Sequence, residues 1–384
     1  MCSEKATSKF KQLRRSYGFD EVAIVPGDVT INPDQTNTDF KIDNLTFSIP
    51  FLTSAMDSVV DVNLAIQLGK LGGLAVLNLD GIQARYDNPD EILEEIARAP
   101  DSEVTALMQK IYTEPIKENL VGERVQTIKK AGVMCAFSLI PANTKRLAPV
   151  VAEAGGDILV VQSTVTSARH ISKSYRGLIF SEMLKQIPIP LVVGNCVSYS
   201  ACLELMKTGI HGVLVGVGPG AACTSREVLG IGVPQITATM DCAAARDDYL
   251  RETGRYVPII TDGGFHKGGD VCKAIAAGAD AVMIGSPFAQ TKEAPGRGYH
   301  WGMSHPHPAL PRGTRIKVGT TTTLEQLLFG PTSMTDGSQN LVGALRTAMG
   351  FCGAATIEEM HKAEMVIAPS ITTEGKSWQM AQGH

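Results

Sequence analysis

"PLVVGNCVSYSACLELMKTGIHGVLVGVG" spans residues 190–218. Two apolar runs, "PLVVGNC" (190–196) and "GVLVGVG" (212–218), flank "YSACLELMKTGI" (199–210), which has helical spacing. Each run is continuous rather than alternating, and rich in valine. That pattern predicts strands buried on both faces of a parallel sheet. The stretch therefore reads as one strand–helix–strand unit of an α/β fold.

The same alternation runs outward through the chain. Further apolar segments are "PFLTSAMD" (50–57), "LAVLNLDG" (74–81), "VMCAFSL" (133–139), "ILVVQST" (158–164), "PIITDGG" (258–264) and "AVMIGS" (281–286). Helical patterns lie between them: "DVNLAIQLGKLG", "VGERVQTIKKAG", "TKRLAPVVAEAGG", "FSEMLKQI", "ATMDCAAARDDYLRETG" and "GGDVCKAIAAGAD". Several close on glycine, as helix C-termini do. Eight strands alternating with helices predict a (β/α)8 barrel, one domain over residues 1–384, with a doubly wound open sheet as the alternative. A short insertion at 80–115 carries the acidic helix "YDNPDEILEEIARAPDSE". The Gly- and Pro-rich stretch 292–319 reads as an active-site flap, and 368–384 as a C-terminal tail.

A hydrophobic fraction of 44% and a charged fraction of 19% are those of a soluble globular protein. Net charge is −4 and the 35 basic residues do not cluster, which argues against nucleic acid and anionic membrane as partners. The N-terminus lacks the apolar core of a signal peptide, and no stretch reaches the ~18 apolar residues of a membrane helix. The eight cysteines include no C-x-x-C pair, so neither zinc nor a disulfide framework is expected. Free thiols in this number predict a reducing compartment, the cytoplasm.

Polar residues collect where the strands end: Ser54, Asp57, Asn195, Cys196, Asp262, Gly263, Gly264, Gly285 and Ser286. A barrel builds its active site on that rim. "DGGFHKGGD" (262–270) and "GADAVMIGS" (278–286) finish the seventh and eighth strands. Open amides at Gly263 and Gly264, a helix starting at "GGD", and the turn at Gly285 and Ser286 predict a phosphate seat. Asp262 is placed to accept hydrogen bonds from sugar hydroxyls. "GVGPGAACTSREVLGIGVPQ" (216–235) follows the sixth strand with five glycines and Cys223, outside every apolar run. Cys135, Cys202, Cys242 and Cys272 read as buried inert thiols, whereas Cys223 reads as a nucleophile.

These segments resemble the IMP dehydrogenase/GMP reductase family. The cysteine loop at 216–235 is similar to the family's catalytic loop. "FDEVAIVPG", "SAMDSVVD", "GNCVSYSACLELMKTGIHGVLVGVGPG", "DGGFHKGGDVCKAIAAGADAVMIGS", "GYHWGM" and "LVGALRTAMGFCGAATIEEM" resemble its other blocks in order, covering about residues 17–368. The short branch lacking CBS domains, often labelled IMP dehydrogenase-related, is the most similar. The resemblance implies a barrel that assembles as a homotetramer or homo-octamer and acts on a purine nucleotide with a nicotinamide cofactor. It implies that Cys223 attacks C2 of the purine to form a thioimidate, and that Ser225 and Glu293 form a catalytic dyad. Ser54, Met56, Asn195, Asp262, Gly263, Gly264, Gly285, Ser286, Gly302, Met303 and Arg312 are implied for the nucleotide. Gln162, Ser163 and Thr164 are implied for the cofactor, with Gln162 where the family carries aspartate. Carbonyls of Gly218, Gly220 and Cys223 match the family's potassium site. Only "SHPHPAL" separates Met303 from Pro311, without the Arg-Tyr pair that activates water in the dehydrogenases. The expectation is therefore reduction of GMP to IMP with NADPH. The alternatives are oxidation of IMP to XMP with NAD, in which His305 or His307 substitutes as base, a purine sensor without turnover, and a flavin-dependent barrel oxidoreductase.

Overall fold

The structure, a computed structural model, describes residues 13–173, 177–303 and 315–368. Its eight-stranded parallel sheet comprises β1 (Phe51–Thr53), β2 (Ala75–Asn78), β3 (Cys135–Leu139), β4 (Ile158–Gln162), β5 (Leu191–Cys196), β6 (Gly212–Val215), β7 (Ile259–Asp262) and β8 (Ala281–Ile284). Consecutive strands pair from β2 to β8, and β8 pairs with β1. A parallel bridge from Leu52 to Leu74 joins the last edge: Leu74 N donates to Phe51 O at 3.0 Å and Thr53 N to Leu74 O at 3.2 Å. The sheet is closed, so the fold is a (β/α)8 barrel and not the open alternative.

The continuous apolar runs are explained by this closure. Val76, Ala136, Val160, Val192, Leu214, Ile260 and Met283 point inward and fill the barrel. Their neighbours Leu77, Phe137, Leu159, Val193, Val213, Ile259 and Val282 point outward against the helices. Both sets are buried, so a period of two gives no polar face. The surrounding helices include α1 (Val62–Lys70), α2 (Pro89–Arg98), α3 (Val104–Ile111), α4 (Glu118–Lys130), α5 (Pro141–Glu153), α6 (Phe180–Met183), α7 (Tyr199–Met206), α8 (Ser225–Leu229), α9 (Gln235–Thr253), α10 (Gly268–Ala276) and α11 (Ser286–Ala289). Helix α6 is four residues long, shorter than "FSEMLKQI" suggests; Leu184 already leaves the helix as its C-cap. A hairpin of Phe40–Ile42 with Leu45–Phe47 plugs the N-terminal end of the barrel through Phe40, Ile42 and Phe47.

The acidic helix of the 80–115 segment is α2. With α3 it forms a satellite core of Ile82, Leu93, Ile96, Val104, Met108 and Ile111 around the fully buried Trp301. Arg315, also buried, donates to the carbonyls of Ala97 (3.1 Å) and Ala99 (2.9 Å) at the end of α2 and lies 4.1 Å from the Tyr299 ring. Both described stems of the 292–319 stretch are thus tied to the 80–115 segment. Arg312, His305 and His307 lie outside the described residues, as does the tail from 369 onward. Helices α12 (Leu324–Phe329) and α13 (Leu341–Phe351) close the fold beside α10 and α11. Among the described residues no helix is long and apolar enough to cross a membrane.

Candidate active site

The C-terminal ends of the strands surround a cleft of about 720 Å³, within the range of small-molecule sites. One flank is the cysteine loop. Its base is clamped by an antiparallel bridge between Val217 and Val233 and by Arg226, whose Nη2 donates to Val233 O at 2.9 Å. Gly216 has φ +151°, and a Cβ there would stand 2.3 Å from the carbonyl oxygen of Asp262, so this close approach requires glycine. The clamp places Cys223 half-buried at the cleft wall, its amide donating to Gly220 O at 3.0 Å and its sulfur 3.4 Å from the Ser225 hydroxyl. Ser225 is buried at the start of α8 and touches the cleft only through Cys223. Gly218 and Gly220 share the same turn, with one lone pair of the Gly220 carbonyl already used by Cys223 N.

On the floor, Asp262 at the end of β7 accepts from Asn195 Nδ2 (2.8 Å) and Gln162 Nε2 (3.0 Å), both on Oδ2. Gln162 also donates to Asn195 Oδ1 at 3.0 Å, which closes a three-residue network across β4, β5 and β7. Burial pushes the Asp262 carboxyl up to about 6, against the lowering effect of these two donors. Its Oδ1 has no hydrogen-bond partner among the described residues and remains for a ligand. Gln162, expected beside a cofactor, is committed to this network. Gln235, buried at the start of α9, fixes the strand ends from below by donating to the carbonyls of Asp262 (2.8 Å) and Val215 (3.2 Å).

Two of the features expected of the phosphate seat are corrected. The Gly263 amide is not open, because it donates to Met283 O at 3.1 Å. The start of α10 is occupied as well: Gly268 N donates to Gly337 O at 2.8 Å, and the Asp270 carboxylate accepts from His266 N (2.9 Å) and Lys267 N (3.2 Å). Gly264, Ser54, Gly285 and Ser286 nevertheless line the cleft together. His300, which sequence reasoning did not single out, joins them. A Cβ built on Gly285 would meet His300 Nε2 at 3.3 Å and Ser54 Oγ at 3.4 Å, so both polar atoms converge on this turn. Nδ1 of His300 is 2.9 Å from Ser58 Oγ, which accepts from Trp301 N at 3.4 Å. In the tautomer where the hydroxyl donates to Nδ1, Nε2 carries the ring's proton toward the turn. Burial holds this imidazole down at about 4, so it acts as a neutral donor. The only signal in the sequence was its place in "GYHWGM".

Met56, Gly302 and Met303 line the cleft, and Met303 Sδ lies 3.4 Å from Tyr112 OH, which donates to Asp57 Oδ2 at 2.7 Å. Beyond Asn195 a second lobe runs past Ser163, Thr164, Thr166, Ile140 and Phe180. Two of its hydroxyls are engaged by backbone, Ser163 Oγ donating to Val165 O at 2.9 Å and the buried Thr166 Oγ1 to Gly194 O at 2.6 Å. Glu293 is not brought to Ser225: its Oε2 accepts from Leu324 N at 2.9 Å at the start of α12, away from the cleft. Among the described residues no hydrogen bond joins Glu293 to Ser225, and one oxygen of its carboxylate serves that helix terminus.

Residues 16–304 match the family model described as IMP dehydrogenase / GMP reductase domain. A Mycolicibacterium smegmatis protein described as an uncharacterized oxidoreductase is 39% identical, over 92% of this chain and 97% of its own length. The inosine-5'-monophosphate dehydrogenase of Cryptosporidium parvum is 28% identical over 95% of this chain and 94% of its own. The crystal structure of an IMP dehydrogenase/GMP reductase-like protein from Corynebacterium glutamicum superposes with a TM-score of 0.88 at 34% identity, covering 95% of this chain and 97% of that one.

Proposed function

The chain belongs to the IMP dehydrogenase/GMP reductase family, and from that premise we propose that it oxidises IMP to XMP through Cys223. The observation carrying this reading is that Cys223, the turn at Gly285 and Ser286, and the lobe past Ser163 and Thr164 line one cleft. Asp262 Oδ1 holds the ribose diol, while His300, Ser54, Gly285 and Ser286 hold the phosphate, which sets the purine edge against the sulfur. The Cys223 thiolate forms a bond to C2, and Ser225 holds the sulfur's orientation from 3.4 Å. NAD, when bound in the second lobe, supplies the acceptor for the hydride that leaves C2. Water then adds to C2, the carbon–sulfur bond breaks, and the thiolate returns as XMP departs. His266, one of the titratable side chains lining the cleft, is proposed to take the proton from that water.

What supports oxidation over reduction is that Glu293, on which the reductive dyad depends, does not line the cleft and accepts from Leu324 N. Reduction of GMP with NADPH is the second reading, favoured by the absence of an Arg-Tyr pair between Met303 and Pro311. Two parallel assays, IMP with NAD and GMP with NADPH, follow the absorbance of the reduced nicotinamide. Expected are XMP and a rising signal in the first and no change in the second. A falling signal with GMP and none with IMP transfers the assignment to reduction. Nucleotide binding without turnover in both makes the protein a sensor. We propose potassium at the turn of Gly218, Gly220 and Cys223, tested by replacing potassium with lithium in the productive assay.

A further inference from the structure

We propose that Cys196, Cys202 and Cys242 form a three-thiol site for trivalent arsenic, seated behind the floor of the cleft. Cys196 ends β5, Cys202 lies on the buried face of α7 and Cys242 on that of α9. The spacing of these residues in the sequence gave no hint of a site; the fold assembles it. Their sulfurs all lie within 4.8 Å of one another, and none of the three residues is more than 2% exposed. Their contacts to oxygen are long: Cys202 Sγ to Cys242 O at 3.8 Å and Cys242 Sγ to Ser198 O at 3.9 Å. Among the described residues no histidine or carboxylate completes the set to four.

Ligand type and charge select the occupant. Sulfur-only ligation excludes hard cations, and a closed zinc site takes four ligands rather than three. A cuprous ion on three thiolates carries a net charge of −2 into an apolar core, a large desolvation cost. The cation one turn away, Arg246, is committed to Asp280 at 3.0 Å and Asp247 at 2.9 Å. Trivalent arsenic avoids that cost. Arsenous acid, As(OH)3, is neutral. It exchanges three As–O bonds for three As–S bonds, and each thiol proton leaves on a hydroxyl as water. Reactants and product are uncharged, and no oxidant is required. Taking about 2.3 Å for a metal–thiolate bond, three sulfurs around one centre lie about 4 Å apart at most, so sulfurs now within 4.8 Å of one another draw together on binding. Because the thiols are buried, uptake waits on local opening and is slow. Cys196 adjoins Asn195, a donor to Asp262, so ligation also strains the cleft floor.

The test uses the full reduced chain and sodium arsenite. Equilibrium dialysis compares wild type with C202S, C242S and C223A, and arsenic X-ray absorption is recorded on wild type. Expected are one arsenic per chain for wild type and C223A, binding at least tenfold weaker for both serine variants, and three sulfur neighbours with no oxygen. Retained binding in both serine variants, loss of binding in C223A, or fewer than three sulfurs on arsenic overturns the assignment. The absorption spectrum is read on unmutated protein, so a serine variant that fails to fold does not obscure the answer.

Discussion

His300 and Asp262 face one cleft with displaced titrations of opposite effect. The His300 ring titrates at about 4 folded against 6.5 unfolded, so the unfolded chain binds the extra proton between those values. That stabilisation is complete above about 6.5 and is lost as pH falls toward 4. The Asp262 carboxyl titrates at about 6 folded against 3.8 unfolded, so the folded chain binds the extra proton, and stability falls as pH rises from 3.8 to 6. Each displacement corresponds to about 3 kcal/mol, so in the wild type the two largely cancel across one window. Single variants separate them. Relative to wild type, Asp262→Asn gains up to about 3 kcal/mol between pH 4 and 6.5, and His300→Gln loses a similar amount, both read from urea unfolding at several pH values. Parallel slopes in all three proteins would refute both assignments. At neutral pH His300→Ala raises the KM for the nucleotide roughly tenfold or more through loss of one charge-assisted donor, whereas Cys223→Ala lowers kcat by roughly 10³-fold or more while nucleotide still binds, measured by titration calorimetry. Cys223 and Asp262 were legible in the sequence because each breaks its local pattern. His300 and Gln235 were not, since their roles depend on Ser58 and on two strand ends distant in the chain. The contact of Glu293 with Leu324 N was illegible for the same reason, since nothing nearby in sequence announces it.

Among the elements, the eight strands were legible because burial on both faces leaves runs of Val, Ile and Leu that end on polar rim residues. The longer helices between the strands were legible through their 3.6-residue period, whereas α6 came out shorter than expected and α3, α8, α11 and α12 were not anticipated. The satellite unit of α2 and α3 showed its acidic face but not its attachment, which Arg315 makes from more than two hundred residues away. That guanidinium supplies donors to carbonyls left over at the end of α2, where the helix has no partners of its own. It also covers Tyr299, in the stem that leads to His300, Gly302 and Met303. Arg315→Ala leaves those half-buried carbonyls without their donor, and is expected to cost about 1–3 kcal/mol in urea unfolding. The same change loosens the stem and raises the KM for the nucleotide, although Arg315 does not line the cleft. An unchanged KM alongside lost stability would mean that the stem is held by Trp301 alone.

Across the whole molecule the barrel separates stability from chemistry along its axis. The C-terminal ends carry glycine, buried polar networks and a titratable carboxylate. The N-terminal ends carry apolar side chains sealed by the hairpin, with Phe40, Ile42 and Phe47 packed on Leu52, Ile158, Val192 and Ala281. This plug was not legible, because its three-residue strands flank a turn and match neither the long apolar runs nor the helical period. Phe40 stacks on Phe47 with ring centroids 5.0 Å apart and is 3% exposed, so Phe40→Ala removes a full aromatic from a closed space. The expected cost is about 3–5 kcal/mol in urea unfolding. A plug that only seals the barrel leaves nucleotide KM and the kcat of Cys223 chemistry unchanged at temperatures where the variant stays folded. If kcat instead fell with stability, the strand ends at the rim would have to move when the opposite end is emptied, and the barrel interior would transmit strain along its full length rather than absorb it in the layers of Val76, Val160, Leu214 and Met283.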